Sequence, residues 1–178
     1  MTSKLSLFTI GHSTHSLEEF LALLARHDIE ALLDIRRFPG SRKFPQFNRD
    51  NLAPVLQKAG IEYHWLEALG GRRGRRPEGP SAVNLGLRNA GFRNYADYML
   101  TPEFQAGLDR LLGVARRRRT ALMCAEGLYW RCHRRLVSDC LTAQGITVQH
   151  ILPDGKLRPH QLTNGAKAEK GTVTYPGN

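Results

Sequence analysis

No apolar run in this chain approaches the roughly 18 residues that a membrane-spanning helix needs, which argues against a membrane partner. No secretory leader is expected either. Met1 to Ser6 carries one lysine and runs into only four apolar-rich residues, Leu7 to Ile10, so the expected location is the cytoplasm. Cysteine is scarce as well. Three cysteines, an odd number without an export signal, argue against a disulfide framework and leave catalysis, metal binding or packing. Acidic residues are outnumbered, 16 against 26 Lys and Arg, for a net charge of +10. The remaining composition, 41% hydrophobic and 24% charged over 178 residues, is that of one globular domain and excludes wholesale disorder.

The positive charge is clustered. Arg72, Arg73, Arg75 and Arg76 form one group, Arg116 to Arg119 another, and Arg131, Arg134 and Arg135 lie beside two cysteines. Such a surface attracts polyanions at long range, either nucleic acid or a phosphorylated small molecule. The alternative is a solvated basic face without a fixed partner.

Periodicity divides the chain into alternating strands and helices. Leu7–Ile10, Glu30–Ile35, Ile61–Trp65, Arg119–Cys124 and Thr147–Leu152 read as strands. Ser16 with Glu19 forms a capping box for a first helix, and a second starts near Asn48 or Asp50. Asn94–Met99 and Thr101–Ala115 read as helices, the latter with Pro102 in its first position. Trp130–Ala143 is the last helix, stopped by Gly145. Between them, Gly70–Arg93 is a long Gly- and Arg-rich loop: a lid, a phosphate clamp or a disordered basic insertion. The expected architecture is a Rossmann-like, three-layer α/β domain over residues 1–163, with a mainly parallel sheet of about five strands. Residues 164–178 are expected to form a loose tail.

In parallel sheets ligands bind beyond the carboxyl ends of the strands. There the sequence places His12 and Ser13, Asp34, Arg36 and Arg37, and Cys124 and Glu126, with Cys132, His133 and Arg134 following. Three chemistries compete for this set. A phosphatase-like cysteine loop fits poorly, because six residues separate Cys124 from Arg131, one too many, and Glu126 would repel phosphate. A zinc or iron site would use Cys124, Cys132 and His133, with His12 or His150 from other strands. Against it, adjacent helical residues point about 100° apart, so both could bind one metal only if the helix starts later. The third is an anion pocket. In it Cys124 is the nucleophile or redox thiol, and His12, Asp34 and Glu126 are acid–base groups. Ser13, Arg36, Arg37, Cys132, His133 and Arg134 would contact the ligand. A plainer reading has Asp34 paired with Arg134 as a structural salt bridge, and Cys140 as a small buried hydrophobe. Tyr95 and Tyr98 either stack on a base or belong to the core. If Cys124 and Cys132 lie within disulfide reach, reversible oxidation joins these readings. The residues specify no cofactor.

Thr9-Ile-Gly-His-Ser13, Asp34-Ile-Arg36, Leu69-Gly-Gly71, Phe92-Arg-Asn-Tyr-Ala-Asp-Tyr98, Met123-Cys-Ala-Glu126, Trp130-Arg-Cys-His-Arg134 and His150-Ile151 together resemble the domain-of-unknown-function family DUF488. The resemblance runs from about Leu7 to Thr163. It implies a compact α/β domain of prokaryotic cells and no assigned reaction. The working expectation is an enzyme-like domain binding a nucleotide or nucleic-acid-like anion. Its rival is a non-catalytic, basic nucleic-acid-binding accessory protein.

Overall fold

The computed structural model describes residues 3–177. Five parallel strands, β1 (Ser6–Gly11), β2 (Ala31–Asp34), β3 (Glu62–Trp65), β4 (Thr120–Cys124) and β5 (Thr147–Ile151), lie in the order β3-β2-β4-β1-β5. A sixth strand, β6 (Leu157–Pro159), adds antiparallel to the β5 edge. The sheet is buried on both faces, so its central strands are nearly continuous apolar runs, as parallel packing demands. Leu17–Arg26 (α1) and Arg49–Lys58 (α2) cover one face through Phe20, Leu24, Leu52 and Leu56. Ala90–Tyr98 (α3), Pro102–Ala115 (α4) and Arg134–Ala143 (α5) cover the other through Tyr95, Leu108, Leu111, Leu136 and Val137. This is a three-layer α/β fold. No helix of the described residues is long and apolar enough to cross a membrane.

Local signals set most boundaries. The Ser16 hydroxyl accepts from the Glu19 N–H at 3.1 Å and the Glu19 carboxylate accepts from the Ser16 N–H at 3.0 Å, closing the expected capping box. Thr101 caps α4, with Pro102 first. Two helices start elsewhere than the periodicity predicts. Asn89 accepts from the Phe92 N–H at 3.0 Å, so α3 begins at Ala90 rather than Asn94. Conversely, α5 begins at Arg134 rather than Trp130. A short 3-10 turn, Tyr129–Arg131, precedes it, and Cys132 is extended, with φ −129° and ψ 155°.

Residues 164–178, expected to be loose, carry a β-hairpin of β7 (Lys167–Glu169) and β8 (Thr172–Thr174). Val173 and Tyr175 behind it are buried against α5 and the Ala82–Asn84 turn. The Tyr175 hydroxyl donates to Asp139 at 2.6 Å. Buried apolar side chains and a paired hydroxyl overcome the polar composition that made the segment read as a tail.

Candidate functional site

The chain leaves β1 for α1 on one face of the sheet and leaves β4 for α5 on the other, although β1 and β4 are neighbours. Their carboxyl ends therefore flank a topological switch point, the position at which open α/β sheets form their clefts. Here His12 N–H donates to Cys124 C=O at 3.0 Å and Ser13 N–H to Ala125 C=O at 2.9 Å. The two segments are held so close that a Cβ on Gly11 would lie 1.8 Å from the Glu126 carbonyl oxygen. Gly11→Ala is accordingly expected to destabilise the fold by about 3 kcal/mol or to push the Cys124–Glu126 segment outward. A wild-type denaturation midpoint with wild-type cysteine reactivity would contradict this.

A cavity of about 810 Å³ opens over these ends. His12, Ser13, Arg36, Arg37, Cys124, Glu126, Cys132 and His133 all line it, so the structure gathers most of the predicted site residues. Asp34 and Arg134 lie beneath it. Asp34 is fully buried and pairs with Arg36, not with Arg134. The Arg36 Nε and Nη2 donate to its two oxygens at 2.8 and 2.6 Å, and the Tyr63 hydroxyl donates at 2.5 Å. This occupied carboxylate also does not meet Glu126, whose side chain is exposed and accepts from the Leu128 N–H at 3.2 Å. His12 is likewise engaged on both ring nitrogens. Nδ1–H donates to Ser13 C=O at 3.0 Å, and Nε2 accepts from Arg36 at 3.4 Å, while the ring stacks on Phe47. Burial lowers its pKa to about 4, so it stays neutral and orients Arg36.

The floor of the cavity is a thiol pair. The sulfurs of Cys124, at the end of β4, and Cys132, just before α5, are 2.8 Å apart. Because α5 starts late, Cys132 Sγ accepts the Arg134 backbone N–H at 3.4 Å, at the positive end of the helix. His133 Nε2–H donates to Ile35 C=O at 2.8 Å, which leaves its Nδ1 lone pair 3.3 Å from Cys132 Sγ. The two thiols are not equivalent. Burial pushes the Cys124 thiol well up, and its hydrogen bond to Cys132 adds to that. Burial pushes Cys132 up as well, but the Cys124 thiol, the Arg134 guanidinium and the Arg134 N–H outweigh it and bring it down to about 7. Of the two thiols, Cys132 is thus the one whose surroundings favour the thiolate.

Arg134 is fully buried and belongs to a network that sequence reasoning missed. Its Nη2 donates to Glu126 C=O at 2.6 Å and its Nη1 to the Thr9 hydroxyl at 3.1 Å. From there the bonds run inward. Thr9 donates to His150 Nδ1 at 2.6 Å, His150 Nε2–H to His160 Nδ1 at 2.8 Å, and His160 Nε2–H to Asp139 at 2.8 Å. With both imidazoles neutral, each ring N–H in this series meets an acceptor, and the series ends on a carboxylate and a guanidinium. Burial holds His150 neutral, lowering its pKa to about 2, and Tyr129 stacks on it at 3.6 Å. One sequence signal for the network existed: Asp139 lies three residues from Leu136, on the apolar face of α5.

Among the described residues no three His, Cys, Asp or Glu side chains converge as a metal would require. The late helix start removes one objection to the Cys124, Cys132 and His133 set, and the His133 Nε2–H bond to Ile35 leaves Nδ1 facing Cys132, but His12 and His150 are engaged elsewhere and bring no further ligand. The zinc or iron alternative gains no support from a cluster of three such side chains among the described residues. Tyr95 and Tyr98 also serve structure, donating to Leu69 and Ala68 C=O at 2.6 and 2.5 Å.

The family model described as "Domain of unknown function DUF488" matches residues 16–141. The chain belongs to that family. No curated protein and no solved structure matches it. The matched stretch includes Asp34, Arg36, Arg37, Cys124, Glu126 and Cys132 to Arg134, but not His12, Ser13, His150 or His160, and the family's description assigns none of them a role.

Proposed function

We propose that the cleft binds an anionic ligand bearing an aromatic ring, of which a nucleotide is the simplest case, and presents it to the Cys132 thiolate. One observation carries this reading: cations and an exposed aromatic share the walls of a single cavity whose floor is the thiol pair. Arg37, Lys43, Arg72 and Arg131 line it against one carboxylate, Glu126. Phe38 stands 63% exposed at its rim with Arg37 over its ring. An aromatic platform beside guanidinium groups suits a base and its phosphates. Cys132 would be the nucleophile, Arg134 the cation that holds it ionised, and His133 Nδ1 the nearest proton acceptor.

The rival reading, a nucleic-acid-binding accessory protein, draws on the exposed Arg72, Arg75 and Arg76 beside the cleft. The Arg116–Arg119 cluster does not join them. It lies at the amino-terminal ends of the strands, opposite the cleft, where Arg118 pairs with Glu62 and Arg119 packs on Phe8.

Binding of nucleoside mono- and diphosphates and of a short single-stranded oligonucleotide, followed by calorimetry, tests both. Arg131→Glu, at an exposed position, and Phe38→Ala should each weaken nucleotide binding at least roughly tenfold, about 1.4 kcal/mol. Affinity confined to the oligonucleotide, falling steeply with salt and indifferent to Phe38→Ala, would favour the accessory binder. No binding of either class would sink both readings.

A further inference from the structure

We propose that Cys124 and Cys132 are a redox-active dithiol that exchanges with anionic low-molecular-weight disulfides entering the cationic cleft. The proposal rests on the same cleft as the reading above, but not on a nucleotide being its ligand.

Four features of the geometry point to it. The sulfurs are 2.8 Å apart, so they need to close by only about 0.8 Å to reach a disulfide bond length near 2.05 Å. They come from different segments, a strand end and the extended residue two before α5, so their proximity is an arrangement of the tertiary fold. Both line the cavity, whereas Cys140 does not; it packs against the hairpin near Gly171. Finally, the two sulfurs have divided roles. Cys132 has the Arg134 N–H and guanidinium beside it, as an attacking thiolate requires, while Cys124 is the more deeply buried, as befits a thiol that resolves the intermediate. The walls supply the selectivity, since Arg37, Lys43, Arg72 and Arg131 would hold the carboxylates of an acidic peptide-like disulfide.

The exchange balances without a further reagent. Cys132 thiolate attacks one sulfur of R–S–S–R, forming Cys132–S–S–R and breaking the ligand's S–S bond, whose electron pair leaves with R–S⁻. Cys124 then gives its proton to the departing thiolate and attacks Cys132 Sγ. The second R–S⁻ is displaced and the Cys124–Cys132 disulfide closes. Two protein thiols are oxidised, and one small disulfide is reduced to two thiols.

Oxidised glutathione serves as the probe. Reduced full-length protein is incubated with it at pH 7, alkylated and cleaved with trypsin, which cuts after Arg131 and so separates the two cysteines. The expected products are the Cys124 and Cys132 peptides joined by a disulfide, Cys140 alkylated, and two glutathione thiols released per chain. Cys124→Ser should halt at a mixed disulfide on Cys132, Cys132→Ser should react at least tenfold more slowly, and Cys140→Ser should match the wild type. Should either cysteine variant fail to fold, the wild-type peptide map decides alone. Equal glutathionylation of all three cysteines, or a wild-type mixed disulfide that never closes, overturns the proposal. Nucleotide binding by a chain whose cysteines do not pair would sink the dithiol alone, and closure without nucleotide binding would sink the nucleotide reading alone.

Discussion

Replacing Asp139 with alanine is expected to cost roughly 3–5 kcal/mol, enough to lower the thermal midpoint of a domain this size by on the order of 10 °C. Asp139 is fully buried and accepts three hydrogen bonds, from His160 Nε2 at 2.8 Å, the Thr163 N–H at 2.9 Å and the Tyr175 hydroxyl at 2.6 Å. Alanine leaves all three donors buried without an acceptor, and a lost partner costs more than the net worth of the bond it made. The damage should spread in two directions. Through Tyr175 and Thr163 the carboxylate ties down the chain on either side of the hairpin, so the amides of β7 and β8 should exchange faster. Through His160, His150 and Thr9 it fixes the far end of Arg134. Melting curves and hydrogen exchange read both effects. A wild-type midpoint with unchanged hairpin protection would mean that the network adds nothing to stability.

Alkylation of Cys132 by iodoacetamide should rise with an inflection near pH 7. At pH 7 it should outpace alkylation of Cys124 and Cys140 by at least about tenfold. With its pKa brought down to about 7, Cys132 should be about half thiolate there, whereas an ordinary thiol of pKa about 8.5 is only a few per cent ionised. Burial pushes Cys140 the other way, to about 11. The direction in pH follows from the thiolate being the reactive form: reactivity is full above pH 7 and is lost as pH falls through it. Stability follows the same sense. A thiol pKa depressed by folding stabilises the native state above the unfolded value, and that contribution disappears as pH falls through about 7. Cys124→Ala removes the thiol hydrogen bond and should move the inflection upward. An inflection at pH 8.5 or higher in the wild type would show that Arg134 and the helix end do not overcome burial.

Much of this molecule follows from short-range signals. The five parallel strands are apolar runs bounded by turn residues, and the capping box and Pro102 are read within four residues of where they act. The α/β class followed from their alternation, and the class in turn brought His12, Ser13, Arg36, Arg37, Cys124 and Glu126 to one cleft. Even the Asp34–Arg36 pair was within reach, since residues two apart at a strand end project to the same side. The resemblance to DUF488 was likewise carried by residues that the matched stretch largely contains.

What the linear text could not settle was which group meets which across the fold. His150, His160 and Asp139 form their series because β5, the strand after it and α5 converge, and no local pattern encodes that meeting. The start of α5 was decided by long-range bonds: His133 is held by Ile35, nearly a hundred residues away, and the helix opens only after the extended Cys132 has delivered its sulfur to Cys124. The hairpin read as a tail because its strands are polar. Its order comes from Val173 and Tyr175 finding buried places on α5. By itself the sequence determined the kind of fold and the edge of the sheet at which chemistry gathers, because hydrophobic period and capping act locally. The tertiary structure alone decided which thiol lies against the Arg134 N–H and which carboxylates are already paired. Burial and charge act through space, and only the folded chain sets those distances.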